Sequence, residues 1–198
     1  MSKTLSHSIK SDFLLEKGIE LLWSKGYNAT SVNDIVKAAK IPKGSFYFYF
    51  NSKEDFAVKA LEKYFEEHFT PVLDILHDES VSAKQRVLNF YEFRSSMLKE
   101  ELNCKMGCMA SNLANEMAEH NEAIRNVIVS NGDFLKGHIA LVVEKAQNNK
   151  EINSIINAHN LVEFIEDAGK GAMITMKEKQ SAYPIDNYMD IIKTILLK

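Results

Sequence analysis

Proline is scarce in this chain, with 3 residues in 198, and glycine numbers only 8. So few turn formers exclude a turn-rich all-β fold, and helical periods dominate instead. No run of about 18 apolar residues occurs, so no membrane-spanning helix is expected. The opening ten residues, MSKTLSHSIK, lack the apolar stretch of a secretory leader. The only two cysteines, Cys104 and Cys108, cannot make a disulfide framework, and a reducing cytoplasm is the expected setting. The Cys-x3-Cys pair and the scattered His68, His77, His120, His138 and His159 have no zinc-ligand spacing, so neither metal nor cofactor is expected. Nucleophile–base pairs, paired-carboxylate signatures and Gly-rich phosphate loops are missing too, which argues against an enzyme.

What the chain does have is an uneven charge distribution. The net charge is −3, yet residues 1–53 hold eight Lys against four Asp/Glu. The remainder holds 16 Lys/Arg against 23 Asp/Glu. A basic head on an acidic body implies that the head alone meets phosphate.

Residues 28–54, NATSVNDIVKAAKIPKGSFYFYFNSKE, carry the densest information. Leu15, Ile19 and Leu22 mark a preceding helix that Gly26-Tyr27 stops. Ser31 precedes Val32, with Asp34 three residues on, as an N-cap with an acidic first turn. Val32, Ile35, Val36 and Ala39 form the buried face of that second helix. Ile41-Pro42 breaks it, since Pro disfavours helical geometry in the residue before it. The run Phe46-Tyr47-Phe48-Tyr49-Phe50 has strand-like composition. Its flanks favour a two-turn helix, with Glu54 three residues after Asn51 as a capping box for the next one. Phe46 and Phe50, at i and i+4, share the inward face, leaving Tyr47 and Tyr49 to point outward. Small, basic and hydroxyl groups at the start of such a helix suit the major groove of DNA.

A long helix is expected from Lys53, with a kink or weak point at Pro71. The body reads as helices marked by Val87–Leu98, by Met106–Met117, by Ile124–Val143, by Ile155–Met176 and by a last helix opened by Pro184. The expected fold is all-α. A three-helix DNA-binding head with a helix-turn-helix spans 1–52, and a larger helical body spans 53–198.

The N-terminal pattern resembles the tetracycline-repressor (TetR) family of bacterial regulators. The matching residues are Gly26-Tyr27, Thr30-Ser31-Val32, Asp34-Ile35, Ala38-Ala39, the stretch 43–50 and Asn51-Ser52-Lys53-Glu54. The body matches one subgroup more loosely, through Gly107-Cys108-Met109, Asn112-Leu113 and Glu116, and through the stretch 168–172 followed by Tyr183-Pro184. The resemblance implies a homodimer that binds double-stranded operator DNA and answers to a small-molecule effector. It places Ser31, Asn33, Lys43, Gly44, Ser45, Tyr47, Tyr49 and Lys53 at DNA. Lys43 can donate to guanine or phosphate, Ser45 can reach a base edge, and Tyr49 and Lys53 suit phosphate. Thr30 reads as structural.

Ala168, Gly169, Gly171 and Ala172 permit close helix approach, and residues 185–196 are broadly apolar. The last two helices are therefore the expected dimer interface, as a four-helix bundle, or else they close the monomer core. Candidate effector-pocket positions are Tyr64, Phe65, Phe90, Tyr91, Phe93, Met97, Met106, Met109, Met117 and Phe134; any one of them alone reads first as core packing, and only the set points to an apolar small-molecule site. Cys108, expected at a helix start beside Lys105, or its neighbour Cys104, can alternatively sense oxidants or electrophiles. An inert buried thiol is the competing reading.

Overall fold

The computed structural model describes the backbone of residues 2–153 and 155–198, and the side chains from residue 10 onward, Ser154 excepted. Among the described residues every regular element is a helix. The chain forms two compact units. The first comprises Met1–Glu67 and Cys108–Ser130, and the second His68–Gly107 and Asn131–Lys198.

The first unit opens with α1 (Ser2–Lys25), α2 (Val32–Ala38) and α3 (Lys43–Tyr49). Gly26, in the left-handed region at φ 84°, turns the chain out of α1. Thr30 is fully buried, and its hydroxyl donates to the Gly26 carbonyl at 2.7 Å, so its role in the turn is structural as expected. Ser31 caps α2 in a reciprocal box. Its Oγ accepts from the Asp34 amide, and the Asp34 carboxylate accepts from the Ser31 amide at 2.9 Å. Lys40, with a positive φ of 54°, ends α2 ahead of Ile41-Pro42.

The aromatic run is helical, as its flanks indicate. Phe46 and Phe50 are buried with Phe56, their ring centroids 4.9–5.4 Å apart. Phe56 belongs to α4 (Lys53–His77), which passes through Pro71 without a break in its helical assignment and runs from the first unit into the second. The cap of α4 lies one residue later than the sequence suggests. Ser52 Oγ accepts from the Asp55 amide at 3.1 Å, and Asp55 accepts from the Asn51 amide at 2.8 Å. Glu54 is instead taken by Tyr27, whose hydroxyl donates to it at 2.9 Å. The first unit also contains α6 (Met109–Met117) and the start of α7 (Glu122–Asn148).

The second unit holds α5 (Ala83–Ser96), α8 (Ala158–Lys179) and α9 (Tyr183–Ile191), with the later parts of α4 and α7. Wider five-residue turns, Met97–Glu101 and Ile192–Leu196, continue α5 and α9. Val87, Phe90, Ile139, Val143, Leu161, Val162, Ile165 and Ile192 make its core. Two sequence expectations fail here. Met106 lies outside α6, because Asn103 and Cys104 adopt left-handed backbone and end helical structure between α5 and α6. Cys104 thus lies in the connection and Cys108 at the N-cap of α6. Ile155 lies before α8 and is exposed, since Asn157 caps that helix by accepting from the Asn160 amide.

Candidate nucleic-acid interface

Helices α2 and α3 pack together, and each leaves residues exposed to solvent. Packing of Phe46 and Phe50 fixes the rotation of α3, which turns Tyr47 (57% exposed) and Phe48 (71% exposed) to solvent. Lys43 and Gly44 are exposed at its start, and Ser45 and Tyr49 are half-buried. A Cβ on Gly44 would meet nothing within 4 Å, so the fold itself does not require glycine there. Asn33 and Lys37 are exposed on α2. Phe48 and Lys37 were not singled out in the sequence. The outward projection of Phe48 already follows from placing Phe46 and Phe50 inward, since a residue two positions on lies on the far side of a helix.

Two of the expected DNA residues have intramolecular work. The Ser31 hydroxyl donates to Asp34 at 2.6 Å, and this bond holds the Asp34 carboxyl below its usual range. Lys53 Nζ donates to the Tyr27 carbonyl at 2.6 Å and lies 4.0 Å from the centre of the Tyr27 ring. Burial pushes the Lys53 pKa down, while Glu54, Glu116 and Asp34 act the other way. Burial, then the bond to Glu54, pushes the Tyr27 hydroxyl far up, so it remains a donor.

Glu116 of α6, absent from the expected set, holds the turn between α1 and α2. Its carboxylate accepts from the Tyr27 amide at 3.1 Å and the Asn28 amide at 2.8 Å. A separation of 89 residues leaves no local signal of such a pairing.

The expected effector residues are divided between the units. Tyr64, Phe65, Met109 and Met117 are buried in the first, where Tyr64 packs edge-on against Trp23 at 5.3 Å and against Phe65 at 5.6 Å. Phe90, Tyr91, Phe93, Met97, Met106 and Phe134 lie in the second. Phe90 is fully buried core, and Phe134 is 48% exposed and stacked on Phe69. Tyr91 lines a cavity with Arg94, Glu166 and Tyr188. Cys104 is buried, and Cys108, the N-cap of α6, accepts from the Tyr64 hydroxyl at 3.6 Å. Among the described residues, no group of His, Cys, Asp and Glu is arranged to hold a metal ion. No helix there is long and apolar enough to cross a membrane.

A helix-turn-helix with an outward α3, carried on a larger helical body, defines a DNA-binding regulator. Comparison with known proteins makes the class specific. Residues 14–60 match the family model of bacterial regulatory proteins of the tetR family, and residues 83–192 match the tetracyclin repressor-like C-terminal domain. The chain belongs to the tetR family and is a transcriptional regulator rather than an enzyme. Regulators of this family bind operator DNA and form homodimers. The chain is 28% identical over 185 residues to the HTH-type transcriptional repressor DhaR of Mycobacterium sp. (strain GP1), covering 93% of this chain and 90% of that one. It is 25% identical over 199 residues to the repressor NemR of Escherichia coli (strain K12), covering 99% and 98%. The crystal structure of regulatory protein TetR from Rhodobacter sphaeroides superposes with a TM-score of 0.82 at 27% identity, covering 90% of this chain and 94% of that one.

Proposed function

We propose that this chain is a repressor that holds a pseudo-palindromic operator and releases it when a small molecule binds its helical body. The observation that carries the DNA contacts is the rotation of α3. With Phe46 and Phe50 locked inward, Lys43, Gly44 and Tyr47 form its outward start. Lys43 and Asn33 are the base readers in this reading, and Ser45, Tyr47 and Tyr49 act at base edges or phosphates. Ser31 combines capping with a place beside the DNA backbone. Lys53 donates one of its three N–H groups to the Tyr27 carbonyl, and the remaining donors serve a phosphate in this reading.

Residues 1–52 act as the DNA-binding domain and 53–198 as the effector-binding and dimerisation domain. Two heads about one helical turn apart, roughly 34 Å, read the two half-sites. The last two helices form the dimer interface. Supporting this are the exposed Phe164 and Ile174 on α8, and Ile191 and Ile195 at the chain end. Gly171 is also exposed, with open space at its Cβ position. Effector binding releases the operator only if the effector prefers the conformation that does not fit DNA. The apolar set from Tyr64 to Phe134 supplies candidate effector contacts.

A second reading rests on the Cys108 sulfur, which sits at the start of α6 within reach of the Tyr64 hydroxyl. Here an oxidant or electrophile acting on Cys108 or Cys104 is the releasing signal. The relative NemR has a solved reduced form, which supports asking the question.

The test is selection of genome fragments on purified protein at physiological salt. A short pseudo-palindrome, with affinity falling steeply as salt rises, is the expected result. Enrichment of no sequence overturns the operator reading. Cys108→Ser protein that still releases its operator on electrophile treatment removes that cysteine as sensor.

A further inference from the structure

Among the described residues the most exposed aromatic is Phe48, at 71%. Its place on α3 is set by the buried Phe46, since two residues turn a helix through about 200°. Phe48 is therefore the crest of the side of α3 that points away from the core, with Tyr47 and Tyr49 on its flanks.

Single exposed apolar side chains are common and need no explanation. Three observations set Phe48 apart. Tyr47 beside it is 57% exposed, so two large aromatics face solvent in succession. The Phe48 ring meets the Tyr49 ring edge-on, with centroids 5.2 Å apart and planes at 89°, a contact that restricts it before anything docks. Gly44, one turn earlier on the same side, has open space where a Cβ would stand. An aromatic ridge thus rises beside bare backbone, and the flat edge of a guest can rest against both.

The surroundings decide which guest. From Ile35 to Lys53 the chain carries Lys37, Lys40, Lys43 and Lys53, and neither Asp nor Glu. Such a stretch attracts a polyanion, and a second copy of the same face would meet like charge. Double-stranded DNA supplies the phosphates, and its major groove admits a helix. A phenyl ring has no donor or acceptor to offer a base edge. The apolar group that base edges present in the major groove is the 5-methyl of thymine.

We propose that Phe48 is a specificity-determining residue of the operator interface, whose ring selects a thymine in each half-site by apolar contact with the 5-methyl group. The assignment rests on the operator reading above and deepens it. Asn33 suits adenine and Lys43 suits guanine, so the ring adds a base identity that these two do not read.

The test replaces each thymine of the selected operator in turn by deoxyuridine, which lacks only the 5-methyl group. Binding of the full chain is followed by fluorescence anisotropy at physiological salt. At one thymine position wild type should lose about fourfold in affinity when one half-site is replaced, and about fifteenfold when both are. Phe48→Ala should bind the thymine operator more weakly, yet bind the thymine and uracil DNAs equally at that position. Phe48→Leu, which keeps an apolar side chain, should retain part of the discrimination. Lys43→Ala should lose affinity for both DNAs and keep the full ratio between them. Added salt should weaken both DNAs in parallel, because the methyl group carries no charge. Three results overturn the assignment: uracil tolerated by wild type at every position, a uracil penalty undiminished in Phe48→Ala, or a Phe48→Ala protein that binds the thymine operator as tightly as wild type. An operator that is retained but shows no methyl-sensitive position sinks the role of Phe48 alone. Retention of no fragment sinks the operator reading beneath it.

Discussion

The carboxylate of Glu116 receives the backbone amides of Tyr27, at 3.1 Å, and Asn28, at 2.8 Å. It thereby ties α6 to the turn that introduces α2. Gly26 belongs to the same contact, because a Cβ at Gly26 would overlap the Glu116 carboxylate. Hydrogen bonds to a charged acceptor are worth about 1.5–3 kcal/mol each when removal leaves the donor buried, less when water replaces the partner. Asn28 is exposed and Tyr27 buried, so the two bonds should differ in value. Glu116→Ala is expected to destabilise the first unit by about 1–3 kcal/mol in denaturant unfolding. Glu116→Gln, which keeps an acceptor, should lose less. Equal stability of all three proteins would show that the clamp contributes nothing.

Gly18 offers a second handle on the same unit. A side chain at Gly18 would run into the Phe56 ring, which is fully buried against Phe46 and Phe50. Overpacking of this kind costs about 1–3 kcal/mol. Gly18→Ala should therefore lower stability and disturb the seat of α3. Phe56→Leu in the same chain should recover part of the loss by giving the new methyl room. A double variant no more stable than Gly18→Ala would place the strain elsewhere.

Gly44 should behave in the opposite way. Nothing in the fold occupies its Cβ position. Exchange of a helical glycine for alanine gains about 0.5–1 kcal/mol in an interior position, and less near an end. Gly44→Ala is expected to be as stable as wild type or slightly more so, yet to bind operator more weakly if the α3 backbone approaches DNA there. Electrophoretic mobility shift beside thermal melting separates the two effects. Undiminished operator affinity would show that α3 does not approach DNA at this residue.

The legible features of the sequence were those set by neighbours along the chain. Ser31 and Asp34 lie three apart and cap α2 as expected, and the flanks of the aromatic run favoured helix over strand there, as the structure has it. Features set by distant partners were not legible. Glu116 reaches its amides across 89 and 88 residues, and Arg94 meets Glu166 across 72. Apolar periodicity points toward an apolar pocket because it sees only one helix at a time. A cavity assembled from polar groups on α5, α8 and α9 leaves no such trace. Left-handed Cys104 was also hidden, since a cysteine carries none of the usual glycine signal for that conformation.

Acid should act late on the cap of α2, below the ordinary carboxylate range. The Ser31 hydroxyl and amide donate to Asp34 and hold its carboxyl below the usual 3.8. A lowered carboxyl contributes stability that is present above about pH 3.8 and is lost as pH falls through the lowered value. The stability difference between wild type and Ser31→Ala should thus be largest above pH 3.8 and shrink below it. An NMR titration of the Asp34 carboxyl should show its midpoint return toward 3.8 in Ser31→Ala. An unmoved midpoint would mean that the hydroxyl does not sustain the cap.

The dimer interface can be tested on α8. Phe164 is 59% exposed in the single chain, although nearby Leu161, Val162 and Ile165 are buried in the core. An aromatic left outward on such a helix gains most by being covered, since burying a side chain of this size is worth about 1.5–3 kcal/mol. Two copies meeting through α8 and α9 would cover it twice. Phe164→Asp is therefore expected to sediment as a monomer at concentrations where wild type is a dimer. On DNA it should bind a full pseudo-palindrome scarcely better than a half-site, because the second head no longer arrives at a raised effective concentration. Lys43→Ala, by contrast, should weaken binding to both DNAs while leaving the dimer intact. A Phe164→Asp protein that remains dimeric and keeps its preference for the full site would move the interface away from this face of α8.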